Sequence, residues 1–324
     1  MKITHVLIPT VAALLIAGPS FAQSYPERPV TWIVPFAAGG PTDGMARMIA
    51  AEVSKELKQP IVVENVGGAG GQIGAAKASN AKPDGYTFLV GHFGYMAAAP
   101  SLYKKMKFDP VKDFDAVFRF PDTPLVLLVG SGSKYKTVDE MIDFAKANPG
   151  KINFGNAGVG SSSHLVAELF AAKAKIKIMQ ISYKGAGPAL NDVMGGQVDA
   201  MFDQTNTALP QTKGDKIRAL ALTSSKPMSQ FPDVPTISSS MPGLEASTWY
   251  GIYAPKGTPR DVIDTTYQAY RKVMQSKAFT DKMEQQGILL LSEEEYGPDA
   301  FQKFTQSENG KWAEVIKEAG IEPQ

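Results

Sequence analysis

Short apolar runs rich in β-branched residues alternate with stretches of helical periodicity along most of the chain. The runs span 30–36, 61–66, 86–93, 125–130, 151–156, 176–182 and 217–223. Their length and composition predict buried strands. Apolar residues recur at helical spacing over 46–57, after Thr42 or Asp43 as the predicted cap, and again over 300–319. Strands that alternate with helices predict an α/β fold of doubly wound, mostly parallel sheets.

Two segments, 125–129 and 246–254, are candidates for passages between domains. A chain that leaves an N-terminal domain once and rejoins it near the C-terminus crosses a hinge twice, and the cleft between the lobes becomes the natural ligand site. We therefore expect one lobe from 23–127 plus 250–324 and a second lobe from 128–249.

Composition narrows the function. The chain has 324 residues, a net charge of +1 and no cysteine, which argues against nucleic acid as a partner and excludes thiol catalysis. Lys2, an apolar run over 6–17 and the triplet Ser20-Phe21-Ala22 predict a signal peptide at 1–22. The run is shorter than the ~20 residues of a membrane-spanning helix, so we expect export.

Four glycine-rich loops, at 36–43, 67–72, 156–163 and 184–188, each follow a predicted strand and lead into a helix. The free N–H groups of a helix N-terminus attract anions. No loop has the G-x-x-x-x-G-K-[ST] pattern, and Ile73 and Ser163 stand where a dinucleotide fingerprint needs its third glycine. The pattern favours a small carboxylate held by neutral donors, without a cofactor.

Enzyme signatures are weak. The nucleophile pattern G-x-S-x-G is broken at Gly160 to His164, and the sequence has no H-E-x-x-H or EF-hand motif, so we expect no metal site and no catalysis. A secreted hydrolase that uses a serine near His164 remains the alternative.

Several segments together carry a resemblance to a known family. They are YPERPVTWIVPFAAGGPTDGMAR, VVENVGGAGGQIGA, FGNAGVGSSSHLVAELF, SYKGAGPALNDVMGGQVDAMFD and WYGIYAPKGTP. The chain resembles the periplasmic solute receptors of tripartite tricarboxylate transporters, often called Bug proteins. The resemblance implies a two-lobed class II periplasmic-binding-protein fold, a periplasmic location, and integral-membrane transporter subunits as partners of a monomer. Val66-Gly67 departs from the Arg-Pro that the family usually has after this asparagine.

The resemblance and the loop pattern together predict ligand-binding residues in both lobes. They are Phe36, Ala38, Gly39, Gly40, Thr42, Asp43, Gly70, His92, Tyr95, Asn156, Gly158, Gly160, Ser161, Ser162, Ser163, Tyr183, Lys184, Gly185 and Asp203. We expect Asp43 to cap its own helix, and Asp203 to hold a water or to order Tyr183 and Lys184. The aromatic residues suit a flat or aromatic acid.

The predicted function is a receptor that traps a mono- or dicarboxylate between its lobes and delivers it to a permease. A ligand-sensing subunit for a two-component partner would use the same cleft and is the further alternative.

Overall fold

Two β-sheets with helices on both faces make up the described part of the chain, which comprises residues 25–318, Gly320 and Pro323 of a computed structural model. The predicted signal peptide at 1–22 lies outside these residues. The strands in chain order are β1 (Val30–Val34), β2 (Ile61–Asn65), β3 (Thr87–His92), β4 (Phe114–Arg119), β5 (Thr123–Gly130), β6 (Asn153–Asn156), β7 (Met179–Ser182), β8 (Ala200–Gln204), β9 (Ile217–Leu222), β10 (Ser247–Thr248) and β11 (Tyr250–Pro255).

Helices fill the connections between most strands. They are α1 (Pro41–Leu57), α2 (Gln72–Ser79), α3 (Ala99–Leu102), α4 (Val138–Ala147), α5 (Ser162–Ala174), α6 (Ala186–Met194), α7 (Thr205–Thr212), α8 (Arg260–Met274), α9 (Lys277–Gln285) and α10 (Pro298–Glu318). A π-helical turn at Gly94–Ala98 precedes α3, and 3-10 turns lie at Ala69–Gly71, Ile237–Ser239 and Glu293–Tyr296.

Both sheets are mixed. The first lobe has the strand order β2-β1-β3-β11-β4, in which β1, β2 and β3 are parallel and β11 is antiparallel to both of its neighbours. The second lobe has the order β10-β5-β8-β6-β7, with β9 also paired to β5. Here β5 is antiparallel to β8, whereas β6 is parallel to β7 and β8. The two-lobed α/β fold is confirmed.

Each sheet buries apolar residues on both faces. In the first lobe, α1 and α8 cover one face around Trp32 and Tyr270, and α10 covers the other around Phe301 and Trp312. Strand β5 alternates between the two cores of the second lobe, as β-strand geometry requires of a doubly covered strand. All seven predicted strands form, while β4, β8, β10 and β11 were not predicted.

The first hinge differs from the prediction. Residues 125–129 lie within β5 and pair with β8 and β9, so the chain passes between the lobes at 120–122 instead. The reason is that every residue of β5 is buried in the second lobe, which leaves this segment no freedom to bend. The second crossing, at Trp249 between β10 and β11, falls within the predicted 246–254.

The start of α1 also differs. Gly40 is the N-cap and Pro41 is the first helical residue, so Thr42 and Asp43 lie inside the first turn. Proline suits this position because it lacks the N–H that would otherwise be unpaired there. In the described residues, no helix has both the length and the apolar character needed to cross a membrane, and no cluster of three candidate metal ligands occurs.

Candidate functional site

A cavity of about 130 Å³ lies between the two lobes. Twelve of the nineteen predicted site residues line it. They are Phe36, Ala38, Gly39, Gly40, Thr42, His92, Ser161, Ser162, Ser163, Lys184, Gly185 and Asp203. Three helix N-termini therefore converge on one space: α1 from the first lobe, and α5 and α6 from the second.

Serine side chains form the hydrogen bonds that order the N-terminus of α5 at the cavity wall. Ser161 is the N-cap, and its Oγ accepts a hydrogen bond from the His164 amide at 3.3 Å. Ser163 Oγ accepts from the Ala157 amide at 2.9 Å and lies 3.1 Å from Ser161 Oγ. All three serines are buried, and the hydrogen bonds of Ser161 and Ser163 fix the loop at the cavity wall.

His92 joins the two lobes through Ser162. Its Nδ1 accepts the Gly94 amide at 2.9 Å, and its Nε2 lies 2.9 Å from Ser162 Oγ. Burial lowers the pKa of His92 to about 3. Because Nδ1 is already used as an acceptor, the neutral ring carries its proton on Nε2 and cannot take one from the serine. This serine–histidine pair is therefore not a catalytic dyad.

Gln204, at the end of β8, lines the cavity but was not predicted. Its Oε1 accepts a hydrogen bond from the buried Tyr250 hydroxyl of the first lobe, so its amide nitrogen faces Ser162 Oγ at 3.5 Å. The sequence signal was its position directly after Asp203 at a strand end. Leu125 and Phe202, which supply apolar wall, were also missed.

Two charged side chains line the cavity. Asp203 is 2% exposed and accepts from Thr207 Oγ1 at 2.7 Å, with no cation paired to it in the described part of the chain. Burial raises the pKa of Asp203 to about 6, more than the Thr207 hydrogen bond offsets. Lys184 is exposed and has no ion-pair partner among residues 25–318.

The other seven predicted residues do not line the cavity, and two of them support residues that do. Asp43 accepts from the Gly39 amide, Arg47 and Asn65. Burial raises the pKa of Asp43, but these hydrogen bonds outweigh it and the net pKa is low. Tyr95 stacks behind His92 at 5.8 Å. The expectation that Asp43 caps its own helix was wrong, because its carboxylate binds the preceding loop.

The remaining five residues shape the loops of the cleft. Asn156 Oδ1 accepts from the Gly158 amide at 2.9 Å, which closes the turn before α5. Tyr183 donates to Asp192 at 2.6 Å rather than to Asp203; that bond, with burial, raises the pKa of Tyr183 to about 12. Gly70 and Gly160 form close contacts between the lobes, with Val159 and Gly94 respectively.

Comparison with known proteins agrees with this architecture. A family model described as the tripartite tricarboxylate transporter family receptor matches residues 45–321. The protein BugT of Bordetella pertussis is 36% identical over 312 residues, which cover 96% of this chain and 95% of that protein.

Solved structures show the same likeness. The periplasmic binding protein BugD is 39% identical with a TM-score of 0.88, covering 93% of this chain and 100% of that one. Rpa4515 of R. palustris, solved with adipate, is 32% identical with a TM-score of 0.88 and covers 93% and 100%. MatC of Rhodopseudomonas palustris, solved with bound malate, is 34% identical with a TM-score of 0.86 and covers 90% and 100%. The chain therefore belongs to the tripartite tricarboxylate transporter receptor family, whose solved members are periplasmic solute-binding proteins rather than enzymes.

Proposed function

We propose that this receptor binds a small organic dicarboxylate in the cleft between its lobes and delivers it to the membrane subunits of a tripartite transporter. The observation that carries the proposal is the convergence of three helix N-termini and three buried serines on one cavity. The dicarboxylates named with its structural neighbours, malate and adipate, support the same class of ligand.

Neutral donors are sufficient for useful affinity. A hydrogen bond to a charged group contributes about 1.5–3 kcal/mol, and a helix N-terminus contributes about 0.3–1 kcal/mol, or up to about 2 when partly buried. A few such contacts reach the roughly 8 kcal/mol of micromolar binding. A strongly basic pocket is therefore unnecessary for binding. Micromolar affinity also suits a receptor that must release its ligand.

The cavity also limits ligand size. One water needs roughly 10–15 Å³ by the same kind of measure, so about 130 Å³ holds on the order of ten non-hydrogen atoms. Malate and adipate are of about this size, whereas a tricarboxylate such as citrate is larger. The exposed cation of Lys184 in the cavity lining favours a second carboxylate over a monocarboxylate of equal length.

Calorimetry on the mature protein tests the proposal with malate, adipate, citrate and the dimethyl esters of the two dicarboxylates. We expect micromolar binding of at least one dicarboxylate and none of the neutral esters. An equal response to acid and ester would contradict it. Delivery is tested separately, by whether deletion of the receptor abolishes uptake of that acid or only changes gene induction.

The loop assignment has its own test. The double variant Ser161→Ala with Ser162→Ala should lower affinity about a hundredfold, because two donors to a charged group are lost. The variant should remain folded, since the lost N-cap costs about 1 kcal/mol and the buried His92 Nε2–H left without its acceptor costs about 1–3 kcal/mol. The exposed Ser307→Ala on α10 is the matched control. Full affinity in the folded double variant would refute the assignment.

A further inference from the structure

His92 is the one described side chain in the cavity wall that forms a hydrogen bond to a serine of the opposite lobe, at 2.9 Å. It is 1% exposed, and 70 residues separate it from Ser162. Its ring makes one hydrogen bond within its own lobe and one across the cleft. The donor and the acceptor of each bond can be assigned, because one of the two partners of the ring has an unambiguous role.

That partner is the backbone amide of Gly94, which can only donate. It donates to His92 Nδ1 at 2.9 Å, so Nδ1 carries no proton. A neutral imidazole then carries its proton on Nε2, and Nε2–H donates to Ser162 Oγ at 2.9 Å. The Gly94 bond lies within the first lobe, so the same tautomer is set whether the cleft is open or closed.

The consequence falls on Ser162. A serine hydroxyl has one proton to donate and two lone pairs that accept. Both side chains hydrogen-bonded to Ser162 Oγ in the described structure, His92 and Gln204, are donors. The His92 bond at 2.9 Å occupies one lone pair and the Gln204 amide faces the other at 3.5 Å, so the proton of Ser162 is left for an acceptor in the cavity.

We propose that His92 is a positioning residue of the binding site, which closes onto Ser162 across the cleft and commits the Ser162 hydroxyl proton to a carboxylate oxygen of the ligand. This inference rests on the proposed function. It adds that the site selects a ligand with a hydrogen-bond acceptor next to Ser162. This selection depends on His92, although both ring nitrogens of His92 are hydrogen-bonded to protein groups.

Two conservative variants separate the two bonds of the ring. Asparagine at position 92 keeps an acceptor near Nδ1 for Gly94 but cannot reach Ser162, whereas glutamine places an amide donor near Nε2. With malate and adipate as probes, His92→Asn should lower affinity about tenfold. His92→Gln should remain within about threefold of the wild type. Melting curves establish that each variant is folded.

The decisive measurement is the double variant. If His92 acts only through Ser162, His92→Asn should cost nothing further in a Ser162→Ala background, so that both show about the same tenfold loss. A merely structural role for His92 predicts independent losses that multiply to about a hundredfold. Multiplying losses, or full affinity in His92→Asn, would overturn the inference.

Nitrogen-15 NMR of the rings provides a second readout. The mature chain has only two histidines, His92 and His164, and the His92→Gln spectrum assigns them. We expect His92 to remain in the Nε2–H form from pH 5 to pH 8, with and without ligand. A protonated Nδ1 in a protein that binds dicarboxylates would refute the inference alone, whereas a wild type that binds no dicarboxylate refutes the proposed function and the inference with it.

Discussion

Asp203 places a carboxylate acceptor in the cavity wall beside three serine hydroxyls and Lys184. It is buried, its only described side-chain partner is a hydroxyl, and its pKa is raised to about 6 by burial. Above that pH an ionised Asp203 repels a carboxylate ligand. Below it the neutral acid can donate a hydrogen bond to the same ligand. The protonation of this single residue therefore affects affinity directly.

We predict that affinity for a dicarboxylate rises as the pH falls from 8 to 6. An anion bound beside Asp203 raises its pKa further, so binding takes up a proton, and affinity increases by up to about tenfold per pH unit. The pKa values of His92 and His164, lowered by burial to about 3 and about 4, lie outside this range. Calorimetry at several pH values measures the effect.

The variant Asp203→Asn provides the control for this pH dependence. It keeps the shape of the side chain without a titrating proton, so its affinity should be independent of pH between 6 and 8. A wild-type affinity that instead falls on acidification would show that the ligand presents its own donor, such as a hydroxyl or ammonium group, to an ionised Asp203.

At the scale of elements, α10 ties the second crossing between the lobes to the first-lobe core. The Glu308 carboxylate of this helix accepts the indole N–H of Trp249 at 2.9 Å and that of Trp312 at 3.1 Å. Trp249 is the residue between β10 and β11, where the chain changes lobes. A buried carboxylate shared by two indoles therefore anchors one end of the hinge.

Glu308→Ala should lower the free energy of unfolding by about 3 kcal/mol, because two buried indole donors lose a charged acceptor. Urea unfolding followed by circular dichroism measures it. Glu314→Ala, on an exposed position of the same helix, should change the free energy by less than about 0.5 kcal/mol. Equal effects of the two substitutions would contradict this role of Glu308.

At the scale of the whole molecule, the lobes meet through backbone as well as side chains. Gly70, which was predicted to bind ligand, instead faces the carbonyl oxygen of Val159 in the opposite lobe so closely that a β-carbon would overlap it. Thr205 Oγ1 donates to the Gly287 carbonyl at 2.7 Å on another part of the interface. Closure thus depends on a glycine that leaves room for the opposite loop.

Gly70→Ala should therefore hold the lobes apart and lower dicarboxylate affinity by at least about tenfold. Small-angle X-ray scattering with saturating ligand should show a larger radius of gyration than in the wild type. Gly257→Ala is the matched control: both glycines have positive φ, +61° and +88°, but no atom lies near a β-carbon at Gly257. Both variants lose similar stability through strain, so equal affinities would contradict the lobe-contact role.

Local pattern was sufficient for much of this protein. The seven predicted strands form, and Thr137 caps α4 through the Glu140 amide. Residues of the glycine- and serine-rich loops at 36–43, 156–163 and 184–188 line the cavity. These features depend on periodicity, capping and turn chemistry. Because these act between residues a few positions apart, they can be predicted from a single sequence.

Long-range packing decided the rest. The loop at 67–72 is glycine-rich and lies between a strand and a helix, like the other three, yet it contacts the opposite lobe instead of the cavity. The His92–Ser162 bond joins residues 70 positions apart, and Gln204 is oriented by Tyr250 from the other lobe. By itself the sequence determined most of the strands and the glycine- and serine-rich loops that follow them. Only the tertiary structure decided which loops share one space, because that depends on how two separately packed sheets face each other across two crossings.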